Sequence, residues 1–158
     1  MSGFINAGLI TGVGTVIWTF VMGFTGWYKD PALLWLFFLV AVLEVVMVII
    51  ALRQHAGENV WWDQVRGGIT TGMIASPIIF VGSFVFTTYV FPNYFSEITA
   101  LGEQMMRSAG ASDADVKVYL ASQAGMTSVS NALTGVIGTM VTAVVVAAVG
   151  GAFLRKKS

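Results

Sequence analysis

A charge-free apolar run extends from Gly67 to Phe91 and ends sharply at Pro92-Asn93. A helix rises about 1.5 Å per residue, so about 20 apolar residues cross the hydrocarbon core of a bilayer. Three further runs of similar character cover residues 5–27, 31–52 and 129–154, and the third helix of the set is predicted over 67–91. The chain is therefore predicted to be all-α, a four-helix transmembrane bundle that forms a single integral membrane domain over residues 1–158.

Composition supports this prediction and excludes several functions. Only 10% of the 158 residues are charged and 56% are hydrophobic, whereas a typical soluble domain has about 25% charged residues. The net charge is zero, so no basic field favours nucleic acid. With no cysteine and one histidine, thiolate sites and a multi-histidine metal cage within one chain are excluded. We expect no metal and no cofactor.

The segment after Pro92 differs in pattern from the four runs. Apolar residues recur at helical spacing over 94–107, and a second short helix is predicted over 113–124, where Ser112 and Asp115 resemble a capping box. We expect an extramembrane amphipathic helical hairpin between helices three and four. It could cap the bundle, lie on the membrane surface or dock a partner, and its apolar stripe favours the surface.

The distribution of Lys and Arg predicts the orientation. With both termini cytoplasmic, five basic residues fall on the cytoplasmic side: Arg53, Arg66, Arg155, Lys156 and Lys157. Three fall on the opposite side: Lys29, Arg107 and Lys117. The hairpin would then face away from the cytoplasm.

Small residues at intervals of four predict where helices pack closely. Gly8 and Gly12 form such a pair in the first helix, and Gly68, Gly72 and Ser76 form one face of the third. Such faces let the backbones of membrane helices approach one another.

Glu44 is the sharpest polar feature of the four runs. It lies roughly 12 Å along the helix from Leu52, near the middle of the bilayer. Matching depths on the other helices places Thr15, Ser76 and Thr142 at about the same level, with no Lys or Arg. The favoured interpretation is a neutral Glu44 hydrogen-bonded to a Thr or Ser; the alternative is a proton or cation site, or contact with a cofactor or partner subunit.

His55 follows the second run, at a helix C-terminus, where the helix dipole stabilises a cation. The alternative is that His55 is a metal or pigment ligand. Glu44 and His55 are about three helical turns apart, and no nucleophile pairs with either. An enzyme is therefore not expected.

Several short motifs resemble one family. They are Ala51-Leu52-Arg53, Gly67-Gly68-Ile69-Thr70, Pro92-Asn93-Tyr94-Phe95, the segment 105–116 and Leu154-Arg155-Lys156-Lys157. Together they resemble the uncharacterised bacterial four-helix integral membrane proteins of domain of unknown function 4199. The resemblance implies a bacterial inner-membrane protein and no particular activity. Where family members often carry an acidic residue after the proline, this chain has Asn93.

These patterns favour a non-enzymatic membrane protein that acts by association, as an accessory subunit of a membrane complex or as a homo-oligomer. Its expected partners are the lipid bilayer and other membrane subunits or itself, and not nucleic acid. The alternative is a small transporter or proton-coupled channel component that uses Glu44. A transporter should show a water-accessible cavity reaching Glu44, whereas a structural subunit should bury it dry against Thr or Ser.

Overall fold

The computed structural model describes residues 2–57 and 60–154 and contains no β-strand in those ranges. Its six α-helices are α1 (Ser2–Thr25), α2 (Leu39–Gln54), α3 (Trp61–Val85), α4 (Tyr94–Ser108), α5 (Asp113–Gln123) and α6 (Ser128–Leu154). Four helical segments are long and apolar enough to cross a membrane: Ser2–Thr25, Pro31–Gln54, Trp61–Val90 and Ser128–Leu154. The protein is thus an all-helical membrane protein. Arg155, Lys156 and Lys157, used above for the orientation, lie outside the described residues.

The second span begins as a 3₁₀ helix, Pro31–Phe38, before α2. Asp30 caps its start, because its Oδ1 accepts a hydrogen bond of 2.9 Å from the Ala32 amide. The indole Nε1 of Trp18 donates to the Leu36 carbonyl at 2.9 Å and ties this segment to α1. The second span, predicted at about 31–52, therefore runs from Pro31 to Gln54 and has two parts.

The third span begins at Trp61, six residues before the predicted start. Gln64 and Val65 are already buried in its first turns, and Trp61 Nε1 donates to the Ala148 carbonyl of α6 at 2.8 Å. Packing against α6 therefore stabilises helix at residues 61–66, which were predicted to be a linker because of their charged residues. At its other end the span widens into a π-helical turn, Phe86–Val90, and stops before Pro92.

The four spans form a ring. Helix α3 packs against α1 on one side and α6 on the other, and α2 completes the ring by packing against α1 and α6. The end that holds the start of α1 and the end of α6 is filled by apolar side chains, which are Phe4, Ala7, Val48, Ala51, Leu52, Ala143 and Ala147. We call this the terminal end, and the opposite end the α4 end.

Glycines lie at the closest approaches between these helices. A Cβ built on Gly8 would be 2.6 Å from the Thr71 carbonyl oxygen, and one on Gly12 would be 3.0 Å from Ile78 Cβ. On the other flank of α3, a Cβ on Gly68 would be 2.7 Å from the Ala143 carbonyl oxygen. A Cβ at Gly8 or Gly68 would collide with a backbone carbonyl oxygen, and one at Gly12 would press on the Ile78 side chain.

Helices α4 and α5 connect the third and fourth spans and pack against each other. The hydroxyl of Ser112 accepts a 3.2 Å hydrogen bond from the Asp115 amide and donates to its carboxylate, so the predicted capping box begins α5. Gly110 makes the turn between the helices with a φ of 79°, a left-handed conformation that suits glycine. The Tyr119 ring of α5 lies against Gly102 of α4.

Candidate functional site

Glu44 points into the bundle from α2. Its residue is only 4% exposed, and it shares the inward face of the helix with Val48, one turn further on. Its Oε1 is buried and has no hydrogen-bond partner within residues 2–57 and 60–154. An unpaired polar atom in an apolar interior is unfavourable by about 1–3 kcal/mol in protein mutational data, so native structures rarely keep one without a use for it.

Four more buried polar atoms of the described chain share this property. The hydroxyl of Thr11 on α1, a residue 1% exposed, and the buried hydroxyl of Ser76 on α3 also have no partner in the described part of the chain. The other two, Gln64 Oε1 and Thr88 Oγ1, lie near the two ends of the third span, Trp61–Val90, away from the level of Glu44.

Contacts between helices place these atoms at one depth. A Cβ on Gly14 would be 2.5 Å from Leu43, which sets Glu44 level with the middle of α1. A Cβ on Gly12 would be 3.2 Å from Ala75 Cα, which sets Ser76 at the same level. We refer to Thr11, Glu44 and Ser76 as the buried polar layer.

The predicted companions of Glu44 occupy different surroundings. Ser76 belongs to the buried polar layer, whereas Thr15 lines a separate cavity and Thr142 is half-buried on α6. No hydrogen bond joins Glu44 to a Thr or Ser among the residues that the structure describes. The interpretation of Glu44 as a neutral side chain hydrogen-bonded to a Thr or Ser stays a prediction.

Matching depths missed two buried threonines near the level of Glu44. Thr11 lies one turn before Thr15, and Thr139 on α6, 8% exposed, lies about one turn before Thr142. The available signal was the small-residue face of α1, because Thr11 neighbours Gly8 and Gly12 there.

A cavity of about 270 Å³ occupies the α4 end of the bundle. All four spans line it, through Thr15, Thr19, Phe37, Ile79, Ser83, Phe86, Asn131, Thr134 and other residues, and Tyr94 of α4 closes one side. The lining residue Thr15 of α1 lies close to the level of Glu44 along the bundle. In the second span, Glu44 follows the lining residue Phe37 by seven residues, or roughly 10 Å. The cavity therefore extends from the α4 end to the level next to the buried polar layer, but none of Thr11, Glu44 and Ser76 lines it.

Three side chains hold α4 against the turn between the first two spans. The buried Tyr28 hydroxyl donates to Glu97 Oε2, and Lys29 Nζ lies 2.8 Å from Glu97 Oε1. The Tyr94 ring, one turn from Glu97, packs 5.3 Å from the Tyr28 ring. We call Tyr28, Lys29 and Glu97 the latch, and it holds the cavity residue Tyr94 in place.

Protonation equilibria of the latch follow its contacts. The hydrogen bonds from Lys29 and Tyr28 lower the pKa of Glu97. The same partner raises the pKa of Lys29, while burial and the bond to Glu97 raise that of Tyr28. Burial raises the pKa of Tyr94 to about 12, so a neutral phenol faces the cavity.

His55 ends α2 and takes part in the packing of the terminal end. Its Nδ1 lies 2.9 Å from the Ala51 carbonyl oxygen, and its ring stacks on Phe4 with 5.0 Å between centroids. Within the described ranges, no three His, Cys, Asp or Glu side chains are grouped to hold a metal ion. The geometry around His55 is that of a helix end.

Comparison with known proteins identifies the family. Residues 6–156, nearly the whole chain, match a family model described as "Protein of unknown function (DUF4199)". No curated protein and no solved structure matches the chain. Since the match extends over all four spans and both connecting helices, the chain belongs to this DUF4199 family.

Proposed function

We propose that this protein is a small membrane transporter or proton-coupled channel component in which Glu44 takes up and releases a proton. The observation that carries the proposal is the buried Glu44 Oε1 without a hydrogen-bond partner in the described chain. A carboxyl group kept only to join helices would be bonded to a neighbour. Ionisable side chains inside membrane spans commonly belong to proton relays and ion pathways.

Two further features support a pathway. The unpartnered hydroxyls of Thr11 and Ser76 lie at the depth of Glu44 and can donate or accept hydrogen bonds along a proton route. The cavity at the α4 end brings space for water or solute to Thr15, at the depth next to Glu44. Access from the terminal end would require movement, because that end is packed with apolar side chains.

Proton flux into liposomes tests the proposal. Purified protein is reconstituted around a pH-sensitive dye, and a potassium gradient with valinomycin imposes a membrane potential of either sign. We expect flux above that of protein-free liposomes, and Glu44→Gln should abolish it. Glu103→Gln is the control, because that carboxylate pairs with Arg107 on α4, away from the spans. Equal flux in Glu44→Gln and the unaltered protein, or none above empty liposomes, would refute the proposal.

Association remains a second candidate, as an accessory subunit or a homo-oligomer. It is favoured by Gly138 of α6, which is exposed and has no atom within 4 Å of a built Cβ. Thr134, one turn away, and Ile137 are exposed beside it, so the backbone of another membrane helix could approach there. Native mass spectrometry from lipid nanodiscs should then show an oligomer or a bound subunit that Gly138→Leu releases.

We place the protein in the bacterial inner membrane with both termini cytoplasmic. The excess of Lys and Arg predicted for that side supports this orientation. The α4–α5 segment would then be an extramembrane hairpin lying at the opposite surface. Its support is the separation of apolar and polar residues on α4, and the exposed ion pairs of Arg107 with Glu103 and Asp113.

A further inference from the structure

We infer that the cavity at the α4 end binds a small uncharged molecule that combines a hydroxyl or carbonyl group with an aromatic or similarly apolar body. If the protein is a transporter, as proposed above, this molecule is the transported solute, and only that identification rests on the proposed function. The binding site itself is inferred from the geometry of the cavity. At about 270 Å³, the cavity is near the lower end of the roughly 300–1,000 Å³ usual for small-molecule sites.

Some of the polar groups that line the cavity have hydrogen-bonding capacity left for a ligand. The Thr15 hydroxyl makes no hydrogen bond to another described residue, while Thr19 and Thr134 each donate to a carbonyl of their own helix at 2.9 Å. Asn131 Nδ2 donates to Ser83 Oγ at 3.4 Å, which leaves the Asn131 carbonyl oxygen and the Ser83 proton for a ligand. The site therefore offers both a donor and an acceptor, as a hydroxyl or carbonyl ligand requires.

The remaining lining selects against charge. No Asp, Glu, Lys or Arg among the described residues lines the cavity, and Phe37, Phe86 and Tyr94 form aromatic walls. A bare ion would lose its hydration there without a counter-charge, whereas a neutral aromatic body gains apolar and edge-to-face contact.

The position of the cavity also favours a membrane-soluble ligand. Thr134 lines the cavity and is exposed on α6, within a span and about one and a half turns from its start. The cavity therefore reaches the protein surface at a depth where an uncharged molecule dissolved in the outer part of the bilayer can enter.

Photo-crosslinking tests the site with a defined probe. Hydroxymethyl-benzophenone is uncharged, carries one hydroxyl and one carbonyl, and labels nearby C–H bonds under near-ultraviolet light; benzophenone carboxylate is its charged counterpart. In the protein reconstituted in lipid, mass spectrometry should place the neutral label on lining residues. Excess benzyl alcohol should compete, and the charged probe should label these residues about tenfold less.

Two positions on α6 provide the test variant and its control. Gly135 lines the cavity, and a Cβ there would lie 3.4 Å from Ile79 Cγ2, an ordinary contact, so Gly135→Leu places a larger side chain at the cavity wall. We expect it to reduce labelling of the lining about tenfold. Val145→Leu enlarges a side chain that is 53% exposed on the same helix and should leave labelling unchanged.

Equal labelling in Gly135→Leu and the unaltered protein, or label confined to lipid-facing residues such as Ile137 and Val141, would overturn the inference. If Gly135→Leu fails to fold in a thermal melt, Thr15→Val decides, because it keeps shape but removes the unused hydroxyl and should weaken labelling. Glu44→Gln should keep the label. Labelling of the cavity with proton flux unaffected by Glu44→Gln would refute the proposed function and support this site.

Discussion

Gly72 of α3 lies against Met140 of α6, so closely that a Cβ on Gly72 would be 2.7 Å from Met140 Sδ and 3.4 Å from its Cα. The opposite flank of α3 meets α1 equally closely, where Gly8 approaches the Thr71 carbonyl. Glycines therefore allow helix α3 to pack closely against both α1 and α6. The buried polar layer and the cavity depend on this spacing.

Enlarging Gly72 should separate α3 from α6. We expect Gly72→Leu to destabilise the protein by roughly 1–3 kcal/mol, because extra bulk in a well-packed interior forces side chains and backbone to move. Val81→Leu is the control, since Val81 is 60% exposed on the same helix. Thermal unfolding in detergent measures both, and equal melting temperatures would show that this contact does not limit packing.

Replacing Glu44 by an apolar residue should not weaken the fold. Its Oε1 has no partner to lose, so Glu44→Leu is expected to leave the melting temperature unchanged or to raise it, while proton flux disappears. A hydrogen bond between helices would instead be worth on the order of 1 kcal/mol. A decrease of that size in Glu44→Leu, absent from Glu44→Gln, would restore the structural interpretation.

Acid should release the latch. Because the folded pKa of Glu97 is lowered, its stabilising effect is present above the unfolded pKa and is lost as pH falls through the folded pKa. Lys29 and Tyr28 have raised values, so their effect is present at neutral pH and is lost as pH rises through their folded pKa. The latch should hold best around neutral pH.

Glu97→Gln isolates the acidic limb. Its melting temperature should be slightly lower than that of the unaltered protein at neutral pH, and the two should converge in acid. A constant difference between Glu97→Gln and the unaltered protein at every pH would show that Glu97 acts through shape and not charge.

Cysteine accessibility tests the proposed orientation. The chain has no native cysteine, so single cysteines at Ser2, Ser112 and Ser158 report separately. In intact cells, an impermeant thiol reagent should label the position at Ser112 and spare the two near the termini. Labelling at either terminus from outside would reverse the orientation.

Sequence pattern predicted the four spans because about 20 uncharged apolar residues leave few alternatives. The pattern also predicted the level of Glu44 along the second span. It did not predict the neighbours of Glu44, because the rotation of each helix about its axis depends on packing. Thr11 belongs to the buried polar layer, whereas Thr15, one turn away, lines the cavity.

Local boundaries were predicted less well, for two physical reasons. The start of α3 at Trp61 depends on a contact with α6 across the bundle. The charged residues Asp63 and Arg66 indicated a linker instead. The 3₁₀ form of Pro31–Phe38 has no signal in a run of uniformly apolar residues. The cavity arises from all four spans together and so has no signature in any one of them.

Proton exchange at Glu44 is measured most directly by infrared difference spectroscopy of the protein in lipid across pH, with Glu44→Gln as the reference. We predict a carboxyl C=O band that is absent from the variant, shifts in D₂O and gives way to carboxylate bands as pH rises. A C=O band that neither shifts in D₂O nor changes with pH would contradict proton uptake and release at Glu44.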